Sequence, residues 1–559
     1  MRDLKEWNEN SMKTSMMNRL YFALLCTVIA PLGINAQQED QLPSRSMTIE
    51  GVYNAEHTEA SKIMPVPERY VPHVEQERAM YLTEGQPSFS YSRASIDAPG
   101  SLHENGDRCS GLLKLGYGIR NDLDALADIR VRSGERGMFK ANAVVSGLNS
   151  KIEEDWRSKD YDMGLNLGYS YSPDRFRLDI NGNVGYGFLN FRKDPYLHAD
   201  INQDRNIFDA GVNAGITSVS SDGLDYSAEM GWSIFLDDRM AWMYNIGSEN
   251  LFRFKGSLGY DFESGFAVSL GLDFKTSLMN CGSWKKSKEY ENFTTVSAQP
   301  RFSWTSGKFR VSAGADVTLR SLLSPVFRIS PNISLRYAPA DAFALFADLK
   351  GGVEEYDMRN LRAISPYWMS TMPIYDGYRP LDAAAGFILY PFNGMELTAR
   401  AGYVKTLDKA MQVPYVNQLT ASCLVQYDAE QLFAGLSCKY VYSDRISAYA
   451  SAEYSKWSSD EETGAVLAML PQFELKCGGQ VGLMNGLRAN IDFTYASMTA
   501  YDGFRLPHVA DLDLGAVYSL SSRLDLGLKC RNLLNSRHFR YAGVRNTGFS
   551  VQASVLYRF

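Results

Sequence analysis

From about residue 108 to its C-terminus the chain repeats one pattern, apolar and polar residues at alternate positions, with charge concentrated on the polar side. In "YDMGLNLGYSY", Tyr161, Met163, Leu165, Leu167, Tyr169 and Tyr171 fall on one parity, and Asp162, Gly164, Asn166, Gly168 and Ser170 on the other. "FRLDINGNVGYGF" and "FAVSLGLDFK" repeat it, setting Phe176, Leu178 and Ile180 against Arg177 and Asp179, and Phe266, Val268, Leu270 and Leu272 against Asp273 and Lys275. In "RLDLGLKCR" the residues Arg523, Asp525, Lys529 and Arg531 share a parity broken only by Gly527. A period of two means β-strands with one oily and one wet face. Charge at this density cannot line a dry sandwich core. An oily-in, charged-out assignment would still fit a soluble sheet strand by strand, so the whole chain must decide.

Three features favour strands that cross a membrane. The apolar parity carries Tyr and Phe near strand ends, in a chain with 33 Tyr, 28 Phe and 45 Gly, as in the aromatic girdles of outer-membrane barrels. The opposite parity is rich in Gly, Asn, Ser and paired charges, which suits a wet lumen. Connections alternate in length: turn signals at Ser172-Pro173-Asp174, Asp222-Gly223, Ser264-Gly265, Ser306-Gly307, Asn393-Gly394, Asn485-Gly486 and Ser521-Ser522 are separated by longer segments such as "NFRKDPYLHADINQDR" and "MNCGSWKKSKEYEN". Short turns on one rim and long loops on the other define a bacterial outer-membrane barrel. Past the start of the chain no apolar run reaches the roughly 20 residues of a spanning helix, so spanning must be by strands. A net charge of −7 argues against nucleic acid as a partner and leaves outer-membrane lipid as the expected one.

The expected fold is therefore all-β: a transmembrane antiparallel barrel over residues 108–559 of roughly 22 strands, at about 20 residues per strand and connection, in the outer membrane of a Gram-negative envelope. The cut within "QLFAGLSCKYVYSDRISAYASAEYSKW" is ambiguous. If a hairpin turn centres on Glu430 and Gln431, Cys423 and Cys438 face each other and could bridge; lipid- or lumen-facing thiols are the alternative. No C-x-x-C occurs and no His cluster accompanies the cysteines, so neither a zinc site nor a dense disulfide framework is indicated.

Ahead of the barrel, Lys13 and Arg19 precede the uncharged "LYFALLCTVIAPLGINA", which reads as a secretory signal over residues 1–36, cleaved after Ala36. Leu25 occupies the place before Cys26 where a lipoprotein signal needs a small residue. Residues 37–107 form an irregular periplasmic or lumenal leader, polar, with six prolines. It is too short and too weakly patterned for a folded plug. Its mixed charges and extended chain suit either a lumen wall or a disordered periplasmic tether.

The last 30 or so residues, "CRNLLNSRHFRYAGVRNTGFSVQASVLYRF", resemble the final hairpin of TonB-dependent receptors, in which an Asn-Leu-Leu-Asn segment and an aromatic loop lead into a strand ending in Phe. The resemblance implies that Phe559, Tyr557 and Val555 are the signal read by the outer-membrane assembly machinery, with Leu556 the one apolar residue on the polar parity. "SMTIEGVYNAEHTEASKIMPVPERY" and "GLLKLGYGIRNDLDALADIRV" resemble the leader and barrel entry of a plugless group of such barrels. "MTIEGVY" has the look of a TonB box, though without a plug there is nothing for it to pull. This resemblance implies transport of a solute or ligand across the outer membrane, with a surface lipoprotein or periplasmic protein as candidate partner. The alternative is a non-transporting structural or assembly-partner barrel.

Catalysis has no visible seat. No G-x-S-x-G or H-E-x-x-H is present, His57, His73 and His103 lie in the leader, His198 and His538 in expected loops, and His508 near a strand start, so neither an enzyme nor a cofactor is expected. "DINQDRN" spaces Asp200, Asn202, Asp204 and Asn206 like the start of a calcium loop, but Arg205 replaces the turn glycine and no acidic residue closes it; a polar loop is the plainer reading and no metal is expected. One long segment, Glu354 to Arg379, gathers Tyr356, Tyr367, Trp368, Met369, Met372 and Tyr375 where a polar loop belongs. Tyr367, Trp368, Met369 and Tyr375 suit an extracellular contact with protein or glycan, and packing over the barrel mouth explains them as well.

Overall fold

The computed structural model describes residues 109–559 apart from 153, 155, 193–203, 220–222, 239–247, 263–264, 281–291, 322–325, 370–373, 415–421, 444, 463 and 501–504. The signal, the leader with its TonB-box-like segment, and Asp200 and Asn202 lie outside the described residues. Within them the chain forms a closed antiparallel barrel of 22 strands. The first strand, Cys109–Gly118, pairs with the second, Leu123–Ser133, on one side and with the last, Ser550–Arg558, on the other, so no edge remains. No helix among the described residues is long and apolar enough to cross a membrane.

The register turns the alternation into two surfaces. Between Arg157–Tyr171 and Phe176–Asn190, Leu165 opposes Val184 and Tyr169 opposes Ile180 on the outside, while Asn166 opposes Asn183 and Gly168 opposes Asn181 on the inside. Leu167, Tyr169, Ile180, Val184 and Tyr186 are exposed, as is the same parity of nearly every other strand. In a closed barrel such a band is at home only in lipid. The long strand Ser422–Ser443 pairs Glu430 with Lys405 and Gln431 with Val404 in mid-strand, so the expected hairpin turn does not exist. Cys423 and Cys438 lie on that one strand about 50 Å apart, far beyond disulfide reach, and Cys438 is a free thiol. Asp204 and Asn206, read as loop, open the strand Asp204–Ser218.

All the described turn signals lie on one rim, where Gly394 and Gly486 take φ of 82° after Asn, the left-handed geometry of tight hairpin turns. An aromatic belt lies against that rim: Phe266 meets Phe302 at 5.6 Å, Phe309 stacks on Tyr337 at 4.3 Å and Tyr557 on Phe559 at 6.2 Å. The long connections share the opposite rim. The even strand count returns Phe559 to the short-turn rim, where its amide and carbonyl exchange 3.0 Å bonds with Gly111 across the seam. Its ring lies so close over Gly111 that a Cβ there would meet the ring at 2.5 Å. Leu556, the exception on the polar parity, points inward and is buried.

Candidate functional site: a segment folded into the lumen

The longest connection among the described residues joins the strands Phe343–Glu354 and Gly377–Leu389. It does not extend away from the barrel. A short helix, Met358–Ile364, is capped by Asp357, whose side chain accepts from the Asn360 amide, and buries Met358, Leu361 and Ile364. These pack in one cluster with Tyr356, Ile207 and Phe235 from the sixth and seventh strands and with Ala410 and Leu424 from the fifteenth and sixteenth. The sixteenth strand is ten steps round from the sixth, so in a barrel of 22 the cluster joins nearly opposite walls. The segment crosses the lumen.

Polar contacts tie it down on all sides. Arg359 pairs with Asp209 at 2.9 Å, Arg362 pairs with Asp162, and Glu355 accepts from Arg253 at 2.8 Å. Lys275 Nζ lies 2.6 Å from Asp376 Oδ2, with both side chains almost fully enclosed. Glu249 accepts from the Met358 amide at 2.8 Å, and Gln412 donates to the Ile364 carbonyl at 2.6 Å. Asp162, Asp209, Arg253 and Lys275 each lie five residues inside the long-loop end of their strands, about 16 Å along the chain. The helix therefore sits within the bore, below the mouth. Just beyond it, Glu354 is held between Arg379 at 3.2 Å and Lys409 at 3.7 Å, and the Tyr356 hydroxyl accepts from the Ala410 amide at 3.0 Å.

Two further connections fold over the same mouth. Val466, Leu467 and Leu470 bury against Met411 and Ala429, and Ala468 and Met469 join Met498, Val509 and Ala542. In the last connection, the Asn-Leu-Leu-Asn segment is built around Asn532 and Asn535, both in the left-handed region at φ 49°. Asn532 exchanges bonds with Ser536, and Asn535 accepts from the Phe549 amide at 3.0 Å, so these amides shape the entry to the final strand. His538 lies beside them with Nε2 3.7 Å from Asp511, too long for a hydrogen bond, and burial pushes its imidazole down to about 4.

Of the aromatic residues read as a contact loop, Tyr367 is enclosed: its ring lies edge-on to Trp156 and Phe191, tilted against Tyr541, and its hydroxyl is 3.3 Å from Ser158. Burial raises that hydroxyl well above the usual tyrosine range, with Asp160 adding to it. Tyr375 is half-buried and its amide donates to Gln426 at 2.9 Å. Trp368 and Met369 form a two-residue strand parallel to Ser422 and Cys423, and Met372 is outside the described residues. At the other rim Val555, Tyr557 and Phe559 are exposed on the lipid side. The wall partners Asp162, Asp209, Arg253 and Glu249 were readable only as inward polar residues. Among the described residues no group of His, Cys, Asp or Glu could hold a metal ion.

Strand number, closure, lipid-facing band and unequal rims together define an integral, multi-pass β-barrel of the outer-membrane type. The fold of the barrel is similar to that of solved TonB-dependent receptors. The chain matches the ferric enterobactin receptor PfeA of Pseudomonas aeruginosa with a TM-score of 0.64 at 11% identity, covering 81% of this chain and 82% of that one. The FrpB iron transporter from Neisseria meningitidis gives 0.62 at 11% identity, over 81% of this chain and 82% of that one. The copper transporter OprC gives 0.60 at 11% identity, over 81% of each. No family model matches the chain, and no curated protein matches it in sequence.

Proposed function

We propose that this barrel transports a solute or ligand across the outer membrane and that the segment 355–376 is its gate. The observation that carries the reading is the crossing itself: the segment is held by apolar contacts to nearly opposite walls and by ion pairs to Asp162, Asp209, Arg253 and Lys275. A covalently continuous segment fixed by several separate charge contacts can be released in steps, which is how a constriction opens without unfolding the wall. The structural neighbours are receptors and transporters, which points away from an enzyme.

In this reading residues 37–107, after removal of a signal ending at Ala36, form a leader that fills the lumen or its periplasmic mouth in place of a folded plug. Phe559, Tyr557 and Val555 are the strand recognised by the assembly machinery, and a surface lipoprotein or periplasmic protein delivers the ligand. The apolar clusters that close the mouth favour a second reading, a sealed barrel acting as a scaffold or assembly partner. Planar bilayers with the mature protein, with and without residues 37–107, separate the two. Discrete conductance in either form supports transport; silence of both, with native heat-modifiable mobility, supports the scaffold.

A further inference from the structure

A cavity at the lumen wall, about 560 Å³, lies on the second to sixth strands, and its lining includes Asn142, Asn166, Asn181, Asn183 and Asn213. A volume of this size is ordinary for a small-molecule site, but the lining is not, since such sites are mostly apolar. Leu167, the one aliphatic residue bordering it, belongs to the outward parity of its strand, and no aromatic ring lines the cavity. The cross-strand register sets Asn142 opposite Asn166, Asn166 opposite Asn183, and Asn181 opposite Asn213, so the amides form two rows around the barrel. Two of the five are held by carboxylates. Asn183 donates to Asp209 at 3.3 Å and Asn213 to Glu229 at 2.8 Å. The neighbouring inward residues Gly168 and Gly211 leave the amides room: a Cβ would come within 2.6 Å of Asn181 Oδ1 at the first and 2.8 Å of Asn183 Oδ1 at the second.

Charge at this wall is mostly paired, Arg130 lying 3.6 Å from Asp128 and Arg359 2.9 Å from Asp209, which leaves the single cation Lys140 in excess. A strongly anionic ligand would need a cluster of cations. A peptide would find no apolar partner for its side chains. A carboxamide presents two donors and an acceptor, and rows of them match a ligand with adjacent hydroxyls on every face. We propose that this wall is a binding subsite for a neutral oligosaccharide. The proposal deepens the transport reading, on which it rests, by naming the class of solute. Arg359, on the short helix of the segment that crosses the lumen, also borders the cavity, so a bound sugar lies against the gate.

Equilibrium binding tests it without requiring transport. The mature protein in detergent is titrated by calorimetry and saturation-transfer NMR with neutral oligosaccharides of glucose, mannose, galactose and fructose, alongside oligogalacturonate and neutral oligopeptides. Saturable binding of at least one neutral sugar is expected. It should weaken about three- to tenfold in Asn166→Ala and in Asn183→Ala, each replacing one hydrogen-bonding amide, with heat-modifiable mobility unchanged. Asn142→Ser serves as a second, milder variant if either alanine variant misfolds. No binding by any neutral sugar, binding of the anionic sugar or the peptides alone, or sugar binding unaltered by all three variants overturns the subsite. Conductance without sugar binding sinks the subsite and spares the transport reading; sugar binding without conductance does the reverse.

Discussion

Replacing Lys275 by Met should loosen the segment across the lumen. The Met stem keeps the side chain against Phe293, whose ring centroid is 5.4 Å from Lys275 Nζ, but the charge facing Asp376 is lost. Asp376 is 1% exposed at its side chain and also holds the Tyr356 amide through Oδ1 at 2.8 Å, so it stays in place, buried and without the ammonium that faced it. Breaking one partner of a buried pair costs about 3–5 kcal/mol, which raises the population of the released segment roughly a hundred- to several-thousand-fold. Single-channel recording in planar bilayers reads that as frequent opening where the parent protein is mostly closed. Arg136→Met is the control: its pair with Asp174 at 3.2 Å is exposed on the short-turn rim, where such pairs contribute about 1 kcal/mol or less. In Lys275→Met with Asp376→Leu both charges are gone, and closure should largely return. A Lys275→Met barrel that inserts normally and stays as closed as the parent, or a control that opens as often, refutes the reasoning.

Changing Phe559 to Lys, or deleting it, should lower the amount of folded protein in outer-membrane fractions by heat-modifiable mobility, through a polar group facing lipid and a lost seam contact; equal amounts would mark the terminus as an ordinary strand end. Gly111→Val should do the same, because the added side chain meets the Phe559 ring and the Asp128 carbonyl, and a variant that inserts fully would show that the seam tolerates the bulk. His538 should stay neutral down to about pH 4 in imidazole NMR. Because its folded-state value lies below the ordinary imidazole value of 6.5, the stabilisation of the loop is complete above about pH 6.5 and is lost as pH falls toward 4, so exchange protection of the Asn546 amide, which donates to the His538 carbonyl at 3.0 Å, should drop over that window.

Alternation made the barrel legible because each strand's facing is local information: Leu165 and Asn166 differ in environment for reasons visible in the two residues themselves. Turn chemistry was local too, and Asn393-Gly394 and Asn485-Gly486 declared which rim they belonged to. Strand length was not, since nothing around Glu430 distinguishes a turn from the middle of the strand Ser422–Ser443 until Lys405 lies opposite it. The lumen segment was half legible. Its aromatic residues stood out, and so did the option of packing over the mouth, but the partners that hold it are far away in sequence, Asp209 lying 150 positions from Arg359. Inward charges such as Lys529 and Arg531 read as lining a wet lumen; both are buried, Arg531 being paired with Asp122 across the seam between first and last strands.

The direct measurement of the account is the conductance of a barrel from which residues 358–373 have been removed and replaced by a short Gly-Ser linker, compared with the intact protein in the same planar bilayers. The segment joins nearly opposite walls inside the strand ends, so its removal should convert rare or small openings into large, long-lived steps while the 22-stranded wall still shifts on heating. A folded deletion variant that conducts no more than the intact chain would contradict the claim that this segment closes the lumen.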